Sequence, residues 1–268
     1  MKKIKKFMRR SWVVLLLLCC LNVVINMEVI NAQNEETINI FETENVAQGK
    51  DLYFKGRKMF YNAENTPDQA RATLALSKES FAKLSEGDLK CYWLAQVEFT
   101  LAEIDERTGN KKEAAMEFSK SNDLVKKAIN YNEKLSDAYR LLADTYMRLM
   151  DYNGPLYSVN HGPQALRLTK KAFQLDNQNF TALNSSGVYY VSAPKAGGGN
   201  INKGIADLEK ALASNDPFDK FIAHVWLGTA YQKKGNKTEA LNHFDRALKI
   251  YPNSPWAKGL ASQCNQTN

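Results

Sequence analysis

The chain is poor in the residues that catalysis and metal binding use most. Its 268 residues hold three histidines and four cysteines. The histidines, His161, His224 and His243, have no His or Cys partner at helical spacing, and HExxH is absent, so a zinc site has no candidate. A disulfide scaffold needs more cysteine than this. GxSxG and GxxxxGK[ST] are missing, which removes the serine-hydrolase elbow and the phosphate loop. Acidic residues are scattered at helix-surface spacings, so paired-carboxylate chemistry has no candidate either. No stretch alternates apolar and polar residues with period two, which argues against strands. These absences point away from an enzyme and from any resident metal or cofactor.

Basic charge is scarcer than the formal +7 suggests. Residues 1–32 carry Lys2, Lys3, Lys5, Lys6, Arg9 and Arg10 against Glu28 alone. Without them the cations fall from 36 to 30 and the anions from 29 to 28, leaving +2. A basic face for nucleic acid is therefore not expected. The one long apolar run, Trp12 to Leu21, follows that basic stretch. A basic start, a short apolar run and Ala32 after Ile30 read as a signal peptide, 1–32, cut after Ala32. An uncleaved anchor facing outward is disfavoured because Asn22, Asn26 and Glu28 interrupt the apolar stretch. Lipidation of Cys19 or Cys20 is disfavoured because a large residue precedes each. Each route exports the rest of the chain. Its Lys- and Asn-rich composition is bacterial in character, so the compartment is periplasmic or extracellular, and membrane contact is limited to the leader. The mature chain keeps Cys91 and Cys264; Cys91 reads as a buried helix residue and a bond between the two is not expected.

What is abundant is helix-forming sequence with a repeat. Residues 33–45 are polar and expected to be loosely ordered; 46–258 are helical in pattern; 259–268 read as a polar tail. Within Phe221 to Ser254 stand Leu227, Gly228, Tyr231, Ala240, Phe244, Ala247 and Pro252. Gly228 and Ala240 suit a close helix crossing, Leu227, Tyr231 and Phe244 fill it, Gly235–Asn236 turns the chain, and Pro252 stops the second helix. Tyr139, Leu142, Ala143 and Tyr146 repeat the first-helix spacing, with Ala165 and Ala172 in a displaced second helix. Leu183, Gly187 and Tyr190 open another unit whose second helix spans 204–212. Upstream, Leu89 to Arg107 and a long helix to Asn130 form one pair around Gly109-Asn110. Ala47–Tyr61 and Pro67–Leu84 form the first pair, with Thr66 as N-cap.

These spacings resemble the tetratricopeptide repeat (TPR) family. The match departs from that pattern at His224, where an aromatic belongs; His224 is expected to pack in the core and His243 to lie exposed. The resemblance implies an all-α, right-handed solenoid of about five antiparallel helical hairpins with no inherent activity. Its register places Asp137, Arg140, Asp144, Met147 and Arg148 in the concave groove, with Asn184, Val188 and Val191 from the next unit and Val225, Thr229 and Gln232 from the last. This mixed lining, with Ile222 and Val225 where a carboxylate clamp has Lys and Asn, argues against capture of chaperone C-termini. Two insertions, Tyr152–Pro163 and Ser192–Asn202, are expected as neighbouring loops at one rim, offering Tyr157, His161, Pro194, Gly197, Gly198 and Gly199. His161 is the one histidine expected in a loop. The three glycines suit amide approach to an anion or a partner chain, or a plain long turn. The chain also resembles periplasmic TPR proteins that accompany TRAP-type transporters, through the Ala193-Pro194 to Gly199 interruption. The expected function is an exported scaffold that binds a protein partner through groove and rim; the alternative is a transporter-associated component holding a small solute.

Overall fold

The computed structural model describes residues 39–266, so the leader and its expected signal peptide lie outside the described residues. Residues 39–47 are helical and belong to a separate unit. There the Thr43 hydroxyl donates to the Asn39 carbonyl at 2.8 Å and the Asn45 amide to the Phe41 carbonyl at 2.7 Å. The segment expected to be loosely ordered is thus helical from residue 39, because its polar side chains bond back one turn within a helix.

The second unit begins at residue 48. Its helices are α1 (residues 48–61), α2 (Pro67–Ala82), α3 (Asp88–Thr108), α4 (Lys111–Tyr131), α5 (Ser136–Leu175), α6 (Phe180–Ser192), α7 (Ile201–Ala211), α8 (Pro217–Lys233), α9 (Lys237–Ile250) and α10 (Pro255–Gln266). No strand occurs among the described residues. Thr66 caps α2 as expected: its hydroxyl accepts from the Gln69 amide while the Gln69 side chain accepts from the Thr66 amide.

Successive helices pair into five hairpins, with α5 supplying both rods of the third. Gly154, at φ +77°, breaks α5 into two arms, and Pro155 restarts the helix at once. The Ser136 hydroxyl donates to the Ala172 carbonyl at 2.8 Å, tying the start of one arm to the end of the other. The last hairpin shows why the spacing works. A Cβ at Gly228 would lie 2.5 Å from the Phe244 ring, so the two backbones approach as closely as that ring permits. Leu227 and Phe244 are fully buried, with Tyr231 packed beside both. α10 then covers the open end. Cys264 is buried against Ala240 and Phe244, so the expected polar tail is helical and packed through residue 266. Cys91 and Cys264 are both buried and form no disulfide with each other.

The first helices α1, α3, α5, α6 and α8 stand side by side, and the row closes into a ring. Arg57 of α1 pairs with Asp216, the N-cap of α8, at 3.1 Å. Its guanidinium lies 3.9 Å from the Phe218 ring centroid. Tyr61 meets Phe218 and Phe221 at 4.8 and 6.2 Å between centroids, and the Asn253 amide donates to the Asn62 side chain at 2.9 Å.

Replacing Phe244 with Ala removes the ring that fills the α8–α9 crossing and should cost about 3–5 kcal/mol. Leu156→Ala, at a side chain 75% exposed, should stay within about 0.5 kcal/mol. Urea unfolding of both variants checks the contrast.

Candidate functional site: a lumen inside the helical ring

Ring closure turns the concave face into a lumen of about 440 Å³. Each first helix contributes one stripe. In α1 the stripe is Tyr53, Arg57 and Tyr61; in α3 it includes Gln96, Thr100, Glu103 and Arg107. In α5 it is Arg140, Asp144, Met147 and Arg148, in α6 Thr181, Asn184, Ser185 and Val188, and in α8 Phe218, Asp219, Ile222, Trp226 and Thr229. α10 adds Trp256 and Leu260. The stripes recur at three- and four-residue steps because a helix presents one face to an axis.

A polar chain runs round the wall. Arg140 donates to the Gln96 carbonyl oxygen at 2.8 Å, the Tyr92 hydroxyl at 3.2 Å and Asp144 at 3.1 Å. The Gln96 amide donates to the Tyr53 hydroxyl at 2.7 Å. Arg148 pairs with Glu103 at 3.3 Å and Glu106 at 2.7 Å, and Tyr61 donates to Glu103 at 2.7 Å. Asp219 accepts from the Ser214 and Thr181 hydroxyls at 2.7 and 2.9 Å, and the Asn184 amide donates to its carbonyl at 3.0 Å. Burial alone would lower the Arg140 pKa, but Tyr92, Asp144 and Asp137 outweigh it and hold the guanidinium charged. Burial pushes the Asp144 and Asp219 carboxyls up, opposed by Arg140 in the first case and by the two hydroxyls in the second. Burial, then Glu103, pushes the Tyr61 phenol well up.

Of the eleven expected groove residues, seven line the lumen: Arg140, Asp144, Met147, Arg148, Asn184, Val188 and Thr229. Four do not. Asp137 accepts from the Asn179 amide at 2.9 Å and belongs to the joint between α5 and α6. Val191 is buried with Ile205, Leu208 and Leu227, on the face that meets α7. Val225 is fully buried, one residue off the stripe of Ile222, Trp226 and Thr229. Gln232 is half-buried outside the lumen. Expectation missed the whole of α1 and α3 because their repeats are degenerate. The four-residue step of Tyr53, Arg57 and Tyr61 was the available signal. Phe218, Trp226 and Trp256 were hidden because closure, not repeat register, brings them together.

The rim differs from expectation as well. Tyr157 and His161 lie on the second arm of α5, not in a loop, since Gly154 compresses the reversal into one residue. Their rings stack 3.8 Å apart and both abut Tyr146. The second insertion is a real loop containing a 3-10 turn, Lys195–Gly197. The amides of Gly197, Gly198 and Gly199 bond to the carbonyls of Pro194 and Lys195, so they close that turn rather than face a ligand. The two insertions are neighbours. The Tyr189 hydroxyl donates to the Gly197 carbonyl at 2.6 Å, and a Cβ at Gly162 would lie 3.4 Å from the same hydroxyl.

His243 is 8% exposed, not on an open face, because α9 turns it toward α8. Its Nδ1 lies 3.1 Å from His224 Nδ1, so one imidazole donates and the other accepts, and Tyr231 stacks on His243. No group of three or more His, Cys, Asp or Glu residues able to hold a metal occurs among the described residues. No described helix is long and apolar enough to cross a membrane.

Residues 221–254 match the tetratricopeptide repeat family model. The chain is similar to TTC0263, a thermophilic TPR protein of Thermus thermophilus. The identity is 19%, the TM-score 0.57, and the match covers 84% of this chain and 98% of that one. YrrB, a TPR protein with an unusual peptide-binding site, matches at 15% identity and a TM-score of 0.41, over 73% of this chain and 84% of that one. MamA matches at 18% identity and a TM-score of 0.37, over 69% and 94%. No curated protein matches the chain. The last hairpin is a tetratricopeptide repeat, and the fold is that of TPR solenoids.

Removing the Arg140 side chain leaves Asp144 buried without its cation. Arg140→Ala should cost about 3–5 kcal/mol, read by chemical unfolding, so it tests stability before it tests binding. Burial first, then His243 and the cations Arg246 and Lys220, pushes His224 from the ordinary value of 6.5 down to about 4, and burial, then Arg246, lowers His243. The unfolded chain therefore takes up protons first, and this contribution is complete above about pH 6.5 and lost as pH falls toward 4. Thermal melts of the wild type and His224→Phe across that window should show a shallower decline in the variant.

Proposed function

We propose that this protein is a non-catalytic, exported binding module that holds a small organic solute in its central lumen. The single observation that carries the reading is ring closure through Arg57–Asp216 and Tyr61–Phe218, which converts an open groove into a bounded cavity. A volume near 440 Å³ falls in the ordinary range for small-molecule sites. The concave face thus suits a solute better than a folded partner, which reverses the order of the two sequence-based functions. Export is supported by the basic and apolar leader. Association with a membrane transporter is supported by that leader and by the Ala193–Gly199 interruption.

One observation favours a protein partner at a different place. The stretch 152–164 carries no charged residue, and its arm leaves Leu156 75% and Val159 72% exposed. A partner meeting that rim leaves the lumen free for solute, so the two readings are compatible.

Protein purified from its native envelope should carry a bound mass of a few hundred daltons in native mass spectrometry. Val188→Trp, which fills the lumen, should remove that mass while a thermal melt shows the fold intact. A wild type without bound solute, retaining a stoichiometric protein that survives Val188→Trp, would move the function from lumen to rim.

A further inference from the structure

The second arm of α5 has two faces, and the outer one is sorted along its length. Gly162, Ala165, Thr169 and Ala172, three or four residues apart, form the buried stripe. On the opposite side Leu156, Val159, Pro163, Arg167, Lys170 and Lys171 follow the same spacing, and all are exposed. The first two are aliphatic, 75% and 72% exposed, and the last three are cations. Arg167 lies about 16 Å beyond Leu156, at a helical rise of about 1.5 Å per residue. From Tyr152 to Leu175 the arm holds no aspartate or glutamate. The acids at its two ends are engaged elsewhere: Asp151 lies in the field of Arg148, and Asp176 accepts from the Gln178 amide at 2.9 Å. Arg167, Lys170 and Lys171 enter no hydrogen bond or ion pair among the described residues.

Two exposed aliphatic side chains by themselves suit a protein or a lipid surface, and the rest of the face separates the two. Protein interfaces are built round aromatic or arginine anchors and are depleted in lysine. Here the aromatic side chain of the arm, Tyr157, is turned onto His161 and Tyr146, and two of the three cations are lysines. An anionic bilayer asks for less: aliphatic groups that enter the headgroup boundary, and cations beside them that meet phosphates without a fixed geometry. We infer that this outer face docks on an anionic lipid surface, with Leu156 and Val159 inserted and Arg167, Lys170 and Lys171 on the headgroup phosphates. The contact is independent of what the lumen holds. It assigns this rim to lipid rather than to a protein partner, and it extends membrane contact beyond the leader.

Co-sedimentation of the protein purified from its native envelope tests it, with vesicles of phosphatidylcholine alone and of phosphatidylcholine and phosphatidylglycerol in equal parts. The anionic vesicles should bind about tenfold or more tighter, and added salt should erase the difference. Arg167→Gln, Lys170→Gln and Lys171→Gln together should lower anionic-vesicle affinity by up to about a hundredfold, since each surface cation contributes about fivefold. Leu156→Ser with Val159→Ser should weaken it about tenfold at unchanged charge. All five positions are exposed; thermal melts establish that each variant is folded, and either variant carries the test if the other is not. Anionic-vesicle binding unchanged in the folded Gln variant would place the contact elsewhere in the chain, the leader included, and overturn the inference. So would equal affinity for the two vesicle types, unchanged affinity in the folded Ser variant, or a wild type that binds neither vesicle. A stoichiometric protein retained by the wild type and lost from both variants, without vesicle binding, would give the rim to that partner instead.

Discussion

Arg57 holds the two ends of the coil together. Its guanidinium is seated on Phe218 and paired with Asp216, so one side chain joins the first hairpin to the last by charge and by π contact at once. Around it Tyr61, Phe221 and Trp256 bury the apolar part of the seam. An isolated exposed ion pair would add little. Here the cation is mostly shielded, with 13% of its side chain exposed, and the rings supply the larger share. Without that seam the concave face is a groove with free edges. With it, the same residues bound a cavity.

Closure also sets the electrostatics of the interior. Stripes from five parallel helices face one axis, so any excess of one charge would concentrate there. The wall answers by alternating partners across helix joints: α5 to α3 through Arg148 and Glu103, α5 to itself through Arg140 and Asp144, α6 to α8 through Asn184 and Asp219. These links fix side-chain positions before any ligand arrives, which lowers the ordering cost of binding. They also make Arg140 a structural member of the wall rather than a free anchor.

The hairpins beneath this arrangement follow from size complementarity at the crossings. At Gly228 a ring occupies the space that a Cβ would need, and at Gly187 a Cβ would stand 2.5 Å from Leu208. Such sites recur because each hairpin has an apolar face that it cannot bury alone and must hand to its neighbour. The inserted arm after Gly154 departs from that rule. It satisfies its own backbone as a helix and packs Tyr157 and His161 on Tyr146, yet leaves Leu156 and Val159 outside.

The sequence alone determined the helical class, the hairpin order from α1 to α9, the cap at Thr66 and most of the lumen stripe on α5 and α6. Each depends on periodicity or on a side chain meeting its own neighbourhood. It missed Val191 and Val225 by a single step of helical register, because a face estimated from one repeat drifts when units carry insertions. It also left His243 exposed and the end of the chain a tail, since both partners, His224 and the Ala240–Phe244 pocket, lie on other turns of the fold. Only the tertiary structure decided that the solenoid closes. That outcome rests on the pairs Arg57–Asp216 and Asn62–Asn253, whose members are 159 and 191 positions apart and meet only after the superhelical path has been accumulated over every hairpin between them.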